Sequence, residues 1–287
     1  MRRSGQPRLT MPHPTERRFC AADIFCRVVF SPFWRVTAAL SLLSAGLTAC
    51  VAPPPPQPHA HDPLTWSSAI GRLDDDRVDS SCSATLVAPD VIATAAHCVV
   101  VDGRTVDATE LTFYPNLGAA SLPSAKGVRV MAIGEDKRRS SGHIDDVDIS
   151  ADWALVQIAP PITAVAPIPL GRFTAAEIDQ ALAAGGELSQ AGYGVYGLTL
   201  GQHLYQQGHC QRLDGDKLPA DKRDYVLFTS CRPIKGDSGG PLVLTKVNGD
   251  RFLVGVVSAY EFTGGTAGRI TIAVAALGFE RRLAGLR

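Results

Sequence analysis

Near the end of the chain stands Gly236-Asp237-Ser238-Gly239-Gly240-Pro241, a hydroxyl and a carboxyl among glycines. A serine hydroxyl is a poor nucleophile at its ordinary pKa. It needs a base within hydrogen-bond reach, a third group that fixes the tautomer of the base, and donors aimed at the oxyanion formed on attack. This segment can supply Ser238 Oγ as the nucleophile. Gly236 leaves room for its own N–H to turn into a site, and Ser238 adds a second N–H. Gly239 and Gly240 permit close approach of strands and of a substrate. The plain alternative is a tight turn without chemistry, and the rest of the chain decides between the two.

The base should be a histidine, and the chain has seven. His13 lies in the leader, and His59 and His61 lie in a proline-rich stretch. His143, His203 and His209 sit in polar, Gly- or Asp-containing stretches. His97 differs: it closes the apolar run VIATAAHC, behind the small residues Ala95 and Ala96. A histidine after a strand can be a satisfied core residue, but beside the serine segment the functional reading prevails. The orienting carboxylate must be buried next to it. Asp145, Asp146 and Asp148 fall in the polar run GHIDDVDIS, whereas Asp152 abuts the apolar run Trp153-Ala154-Leu155-Val156. Asp152 is therefore the expected partner.

Positioning three such groups requires a rigid frame, and the body of the chain reads as strands. Short runs rich in Val, Ile and Thr are separated by Gly, Pro and Asp clusters, among them CSATLVAPDVIATAAHC, DWALVQIAP, ELSQAGYGVYG and GRITIAVAAL. That pattern points to an antiparallel all-β domain. Asn248-Gly249-Asp250 between apolar runs predicts a hairpin. The proline-rich stretch 159–171 would link two halves. Leu277, Phe279, Leu283 and Leu286 recur at helical spacing, so residues 274–287 are expected to form a terminal helix.

The front of the chain reads differently. Residues 36–49, VTAALSLLSAGLTA, follow Arg35 and have the form of a signal peptide. The run is short for a permanent membrane helix, which remains the alternative. Residues 47–50, LTAC, resemble the bacterial lipobox, which implies lipid attachment at Cys50; ordinary cleavage after Gly46 is the competing outcome. Residues 51–63, VAPPPPQPHAHDP, favour extended polyproline, either a spacer holding a domain off a surface or a mature terminus without a task. The organisation expected is thus a leader over 1–49, an anchor and spacer over 50–63, and one domain over 64–287. The 35 residues before the apolar run are long for a signal, so the true start can lie downstream, without Cys20 and Cys26.

Composition narrows the partners. Lys and Arg balance Asp and Glu at 28 each, so no excess charge points to nucleic acid. No cysteine–histidine cluster has zinc-site spacing, and no metal or cofactor is required. Cys82, Cys98, Cys210 and Cys231 form an even set in the body, compatible with two disulfides in an oxidising compartment.

The segments TAAHC at 94–98, DWALV at 152–156 and GDSGGP at 236–241 resemble, in the same order, the signature segments of the trypsin/chymotrypsin family of serine endopeptidases. The resemblance spans about residues 66–287. It implies an all-β fold of two six-stranded antiparallel β-barrels with a C-terminal helix, and a triad of His97, Asp152 and Ser238 in the cleft between the barrels. It also implies an oxyanion hole from the N–H groups of Gly236 and Ser238, and protein or peptide substrates. It pairs Cys82 with Cys98, a loop whose closure contributes about 3 kcal/mol in the chain-entropy model. Cys210 and Cys231 are left for a second bridge.

Three departures qualify the resemblance. The digestive enzymes pair the acid before the nucleophile, here Asp237, with a new terminus released after a basic residue. The stretch HAHDPLTWSSAIGRL contains no such site, so either Asp237 finds another partner or the oxyanion loop is set differently, and a form that needs no activation cleavage is expected. Those enzymes place a cysteine four residues before the nucleophile, where this chain has Ile234. The floor of the specificity pocket would be Arg232, favouring acidic side chains if it points inward and leaving a pocket for small or medium apolar residues if it points outward. Ser258 and Tyr260 match the strand that pairs with substrate backbone, Tyr260 narrowing the pocket mouth. The expectation is an exported serine endopeptidase, tethered by lipid to the bacterial envelope or free in the periplasm or medium. A binding module on the same fold is the alternative.

Overall fold

The computed structural model describes residues 57–58, 66–77, 81–118, 122–134, 149–195, 201–215, 218–263 and 268–279. The chain divides into the units Met1–Ala52 and Pro53–Arg287, and every described residue belongs to the second. The apolar run 36–49, Cys50 and His143 with its neighbouring aspartates lie outside the described residues. Among the described residues no helix is long and apolar enough to cross a membrane.

Strand β1 is Gln57–Pro58. Then follow β2 (Ile70–Asp75), β3 (Ser81–Ala88), β4 (Val91–Thr94), the short ribbon β5 (Val100–Val101) and β6 (Arg104–Thr105), β7 (Leu111–Pro115), β8 (Ala125–Ile133) and β9 (Ala154–Ala159). Six of these close a barrel in the order β2-β3-β4-β9-β8-β7. Its strands bury Leu86, Ile92, Phe113, Leu155 and Val156 completely. Val, Ile and Leu on pleated strands bring apolar faces together here, and burial of such side chains contributes about 2 kcal/mol each.

The second half contains β10 (Glu187–Gly192), β11 (Tyr205–Gln207), β12 (Arg212–Leu213), β13 (Val226–Thr229), β14 (Pro241–Thr245), β15 (Arg251–Thr263) and β16 (Gly268–Ala275). With β1 they form an eight-stranded sheet in the order β1-β11-β10-β14-β15-β16-β13-β12. The architecture is mostly β, one closed six-stranded barrel beside a half-barrel sheet, consistent with the expected two-barrel plan. The hairpin predicted at Asn248-Gly249-Asp250 joins β14 to β15, with Asp250 N–H donating to Asn248 Oδ1 at 3.1 Å.

The proline-rich link behaves as expected and also packs. Ile162, Val165 and Ile168 are buried. Ile162 N–H donates to Pro89 O at 2.7 Å and Ile168 N–H to Leu86 O at 2.9 Å, on the first barrel. Leu253 N–H then donates to Pro169 O at 2.9 Å, on the second sheet.

Three local expectations change. The spacer was expected to stay out of any sheet, yet Gln57 and Pro58 pair with Gln206 and Tyr205. This dipeptide sits at the sheet edge, where a missing proline donor costs least. Helical spacing over 274–287 predicted a terminal helix, but Val274 and Ala275 finish β16 and Ala276–Gly278 make one 3₁₀ turn. Pairing of Val274 with Val256 outweighs the local spacing. Residues 280–287 lie outside the described ones. Phe279 stacks on Trp153 at 5.1 Å, so this end still packs onto the first barrel's core. Finally, α1 (Ala175–Ala183) was not expected, although Thr174 and Glu177 form a reciprocal capping box at its start.

Candidate active site

His97 follows the end of β4, on the 3₁₀ turn Ala96–Cys98. Fully buried Ala95 and Ala96 let that turn lie flat on the barrel. Cys98 is bridged to Cys82 on β3, which staples the turn from behind. Asp152 is 0 % exposed and sits immediately before β9. Its carboxylate accepts from His97 N–H at 2.9 Å through Oδ1, and His97 Nδ1 lies 2.9 Å from Oδ2. Ser258 Oγ–H also donates to Oδ2, across from β15. Donors on both oxygens hold the carboxylate in one orientation, and it in turn fixes the ring next to it. The sequence reading placed Ser258 in the substrate pocket; it lines the cleft and also completes the Asp152 cluster. Its hydroxyl role left no trace in the sequence, since Ser258 lies 106 residues from its partner.

Ser238 sits on the loop between β13 and β14, lining a cleft of about 540 Å³. The loop is shaped by its glycines. Gly236 has φ +102°, in the left-handed region, and a Cβ there would lie 2.9 Å from Tyr193 O. At Gly239, with φ +81°, a Cβ would meet Ser83 O and Thr94 Oγ1 at 2.1 Å. Within the loop, Asp237 N–H donates to Ile234 O, Gly239 N–H to Val257 O and Gly240 N–H to Asp237 O. Among the described residues no carbonyl takes the N–H of Gly236 or Ser238. Two unclaimed donors flanking a cleft-lining hydroxyl are what an oxyanion needs.

The first barrel also grips this loop. Ser83, fully buried on β3, donates its hydroxyl to Gly236 O at 2.9 Å and accepts from Tyr193 N–H at 2.8 Å. Its own N–H donates to Ser238 O at 2.7 Å. Sequence reasoning missed Ser83, which follows Cys82 in an ordinary strand pattern.

The cleft is lined by Pro233, Ile234, Lys235, Gly236, Ser238 and the β15 segment from Val257 to Tyr260. Among the described residues, Lys235, exposed, is the one charged member of this lining. Arg232, expected at the floor, is not part of this lining. It borders a separate small cavity with Gln190, Tyr205 and Asp237, and its N–H donates to Gln207 Oε1 at 2.6 Å. The floor position was inferred from spacing to the nucleophile. Ile234 stands where the digestive enzymes have a bridging cysteine, so spacing to the nucleophile does not carry over. Cys231, next to it, is bridged instead to Cys210. Cys82, His97 and Cys98 cluster closely enough to suggest a metal, but the disulfide consumes both sulfurs. His209 is far from this chemistry, 89 % exposed beside Glu187.

Comparison with known proteins decides the family. The trypsin family model matches residues 56–277. The chain belongs to the trypsin family. It is a serine endopeptidase of that family, and its disulfides fit an oxidising compartment outside the cytoplasm. A solved structure of a Glu endopeptidase is similar at 18 % identity and TM-score 0.58, covering 80 % of this chain and 94 % of that one. A thermostable serine protease from an extremophilic microorganism is similar at 18 % identity and TM-score 0.56, covering 75 % and 95 %. At that identity the likeness speaks to the fold.

Proposed function

We propose that this trypsin-family chain hydrolyses peptide bonds through an acyl-enzyme, with Ser238 as nucleophile, His97 as base and then acid, and Asp152 as its orienting carboxylate. Ser238 Oγ attacks the carbonyl carbon while its proton passes to His97 Nε2. The carbonyl oxygen, now negative, is held by the N–H groups of Gly236 and Ser238. Collapse breaks the C–N bond, and His97 returns the proton to the leaving amine. Water then repeats the sequence on the ester and frees Ser238. The observation that carries this reading is the buried Asp152 carboxylate, held by Ser258 and facing His97 Nδ1. The cleft walls Pro233, Ile234, Val257, Ala259 and Tyr260 favour small or medium apolar side chains, and Lys235 at the rim disfavours Lys and Arg.

The LTAC segment at 47–50 supports lipid attachment at Cys50 and an exported, envelope-tethered enzyme. Intact mass of membrane-extracted protein tests it: a diacylglyceryl increment on Cys50 is expected, and a soluble product starting at Leu47 refutes it.

For catalysis, a fluorophosphonate probe should label Ser238 in the wild type. Ser238→Ala and His97→Ala should each lower peptide hydrolysis by roughly 10⁴-fold or more, because the groups act as a unit. Folded wild type that neither labels nor cleaves would instead make the chain a binding module on a protease fold. A peptide-library profile dominated by cleavage after Lys or Arg would overturn the pocket assignment.

A further inference from the structure

Asp237, the residue before the proposed nucleophile, is 4 % exposed and closes the loop that carries the two unclaimed N–H groups. Its Oδ2 accepts from Ile234 N–H at 2.9 Å, tying the loop to itself. Among the described residues no cation pairs with it. Its second donor comes from outside the loop: Gln190 Nε2, on β10, at 3.2 Å. Gln190 is itself 2 % exposed, and the fully buried Thr271 on β16 donates its hydroxyl to Gln190 Oε1 at 2.6 Å. Thr271 Oγ1 also lies 3.1 Å from Cys231 O, at the root of the same loop. The Thr271 hydroxyl has one proton for these two acceptors. An ionised Asp237 can only accept, so the amide turns Nε2 to the carboxylate and leaves Oε1 facing Thr271.

We infer that Gln190, oriented by Thr271, is the positioning residue that holds Asp237 and through it the oxyanion loop, doing by a neutral relay what a freed terminal ammonium does in the digestive enzymes. The inference rests on the catalytic reading above. A neutral amide is a weaker partner for a buried carboxylate than a cation is. Burial accordingly pushes Asp237 up to about 7, against the pull of Ile234 N–H, Gln190 and the Gly194 N–H. Gly194 approaches from outside hydrogen-bond geometry, and among the described residues Asp237 Oδ1 has no hydrogen-bond partner. Oδ1 is packed closely: a Cβ on Gly192 or Gly194 would lie 2.7 Å from it. The small cavity beside the carboxyl is bordered by Tyr205 from β11 and Arg232 from the segment after β13, with the amides of Gln190, Gln206 and Gln207. These are the ionisable groups that face Asp237, and neither forms an ion pair with it. The loop then assembles without a cleavage event.

The test uses the full-length chain carrying Ser238→Ala and ¹³C-labelled aspartate, so that it does not depend on activity. The Asp237 carboxyl signal is assigned by its loss in Asp237→Asn, and its titration midpoint is followed by NMR. Gln190→Met keeps the volume and removes the donor. It should raise the Asp237 midpoint by about one pH unit, because a lost hydrogen bond to the charged form favours the neutral one. Thr271→Val, which keeps the branched shape, should shift it the same way by less, and covers the case in which Gln190→Met does not fold. With Ser238 restored, the acid limb of kcat/KM should move up with the midpoint, chiefly through kcat. Midpoints unmoved in both variants overturn the proposal even if activity falls at every pH. So does a wild-type midpoint well below the ordinary carboxylate value, which would reveal a cation from outside the described residues. A shifted midpoint in a chain that never cleaves peptide would support the relay and sink the protease reading alone.

Discussion

The two halves of the domain hold their parts of the site by different means. The closed first barrel presents His97 and Asp152 from strand ends whose backbones are already fixed by pairing. Its contribution is two side chains in direct contact, one fully buried. The second sheet presents Ser238 on a glycine loop held by long-range polar contacts, from Gln190 on its own sheet and Ser83 on the barrel. Barrel closure makes the proposed acid–base pair a property of a rigid element. The proposed oxyanion donors are a property of a loop held by buried pins. A site split this way should fail differently on its two sides.

The largest expected effect lies on the barrel side. Asp152→Asn should lower kcat by about 10⁴-fold with little change in melting temperature, because the amide supports the wrong imidazole tautomer while the barrel remains intact. Steady-state kinetics beside a thermal melt check this, and a large loss of stability would show that Asp152 is mainly a structural group.

On the loop side, activity and stability should fall together. Ser83→Ala leaves Tyr193 N–H and Gly236 O buried without their partner, a cost of about 2–4 kcal/mol. For a domain of this size that lowers the melting temperature by about 5–15 °C. kcat should fall by about 10- to 100-fold if about two-thirds of that energy is lost from loop positioning. Full activity at unchanged stability would show that the loop does not need the barrel.

The disulfides sharpen the contrast. Their sequence separations, 16 and 21, predict nearly equal stabilisation of about 3 kcal/mol in the chain-entropy model. Replacing Cys82 and Cys98 by serine should cost activity as well, since the bridge backs the His97 turn. Replacing Cys210 and Cys231 should lower the melting temperature by a similar amount with a smaller loss of kcat at low temperature. Equal kinetic damage would break the distinction.

The smallest effect is one of sign. Asp75, on the barrel, is held below its ordinary value by the Arg77 side chain. A depressed carboxylate contributes stability above its unfolded pKa and loses it as pH falls through the folded value. Asp237 is raised by burial to about 7, so relative to the unfolded chain it favours folding least once ionised. Its contribution is fully present below the ordinary carboxylate range and is lost as pH rises from there through about 7. Asp237→Asn should therefore narrow the difference in melting temperature between weakly acid and weakly alkaline buffer. Asp75→Asn should lower the melting temperature near neutrality and have little effect in strong acid. Identical pH dependence of both variants would show that the two halves do not differ in this respect.

Much of the site was legible because its signals are local. TAAHC, DWALV and GDSGGP each carry one functional group with the small or apolar neighbours that expose or bury it, so His97, Asp152 and Ser238 could be named from the chain alone. The Val- and Ile-rich runs predicted β3, β4, β9, β10 and β14 to β16 for the same reason: alternation on a strand is a property of adjacent residues. The capping box before α1 was equally local and was overlooked among the prolines that precede it. The groups that hold the site together left no local signal. Gln190 meets Asp237 across 47 residues, Thr271 meets Gln190 across 81, Ser258 meets Asp152 across 106 and Ser83 meets Gly236 across 153. Each is an ordinary polar residue in an ordinary strand, and only strand pairing decides which buried acceptor it faces. Arg232 shows the limit from the other side: counting back from the nucleophile left open whether it enters the cleft, and in the tertiary structure it borders a separate cavity. The sequence by itself determined which groups can do the chemistry, because reactivity depends on residue type and near neighbours. The tertiary structure alone decided what holds those groups in place, because desolvation and hydrogen-bond geometry exist only once distant strands have met.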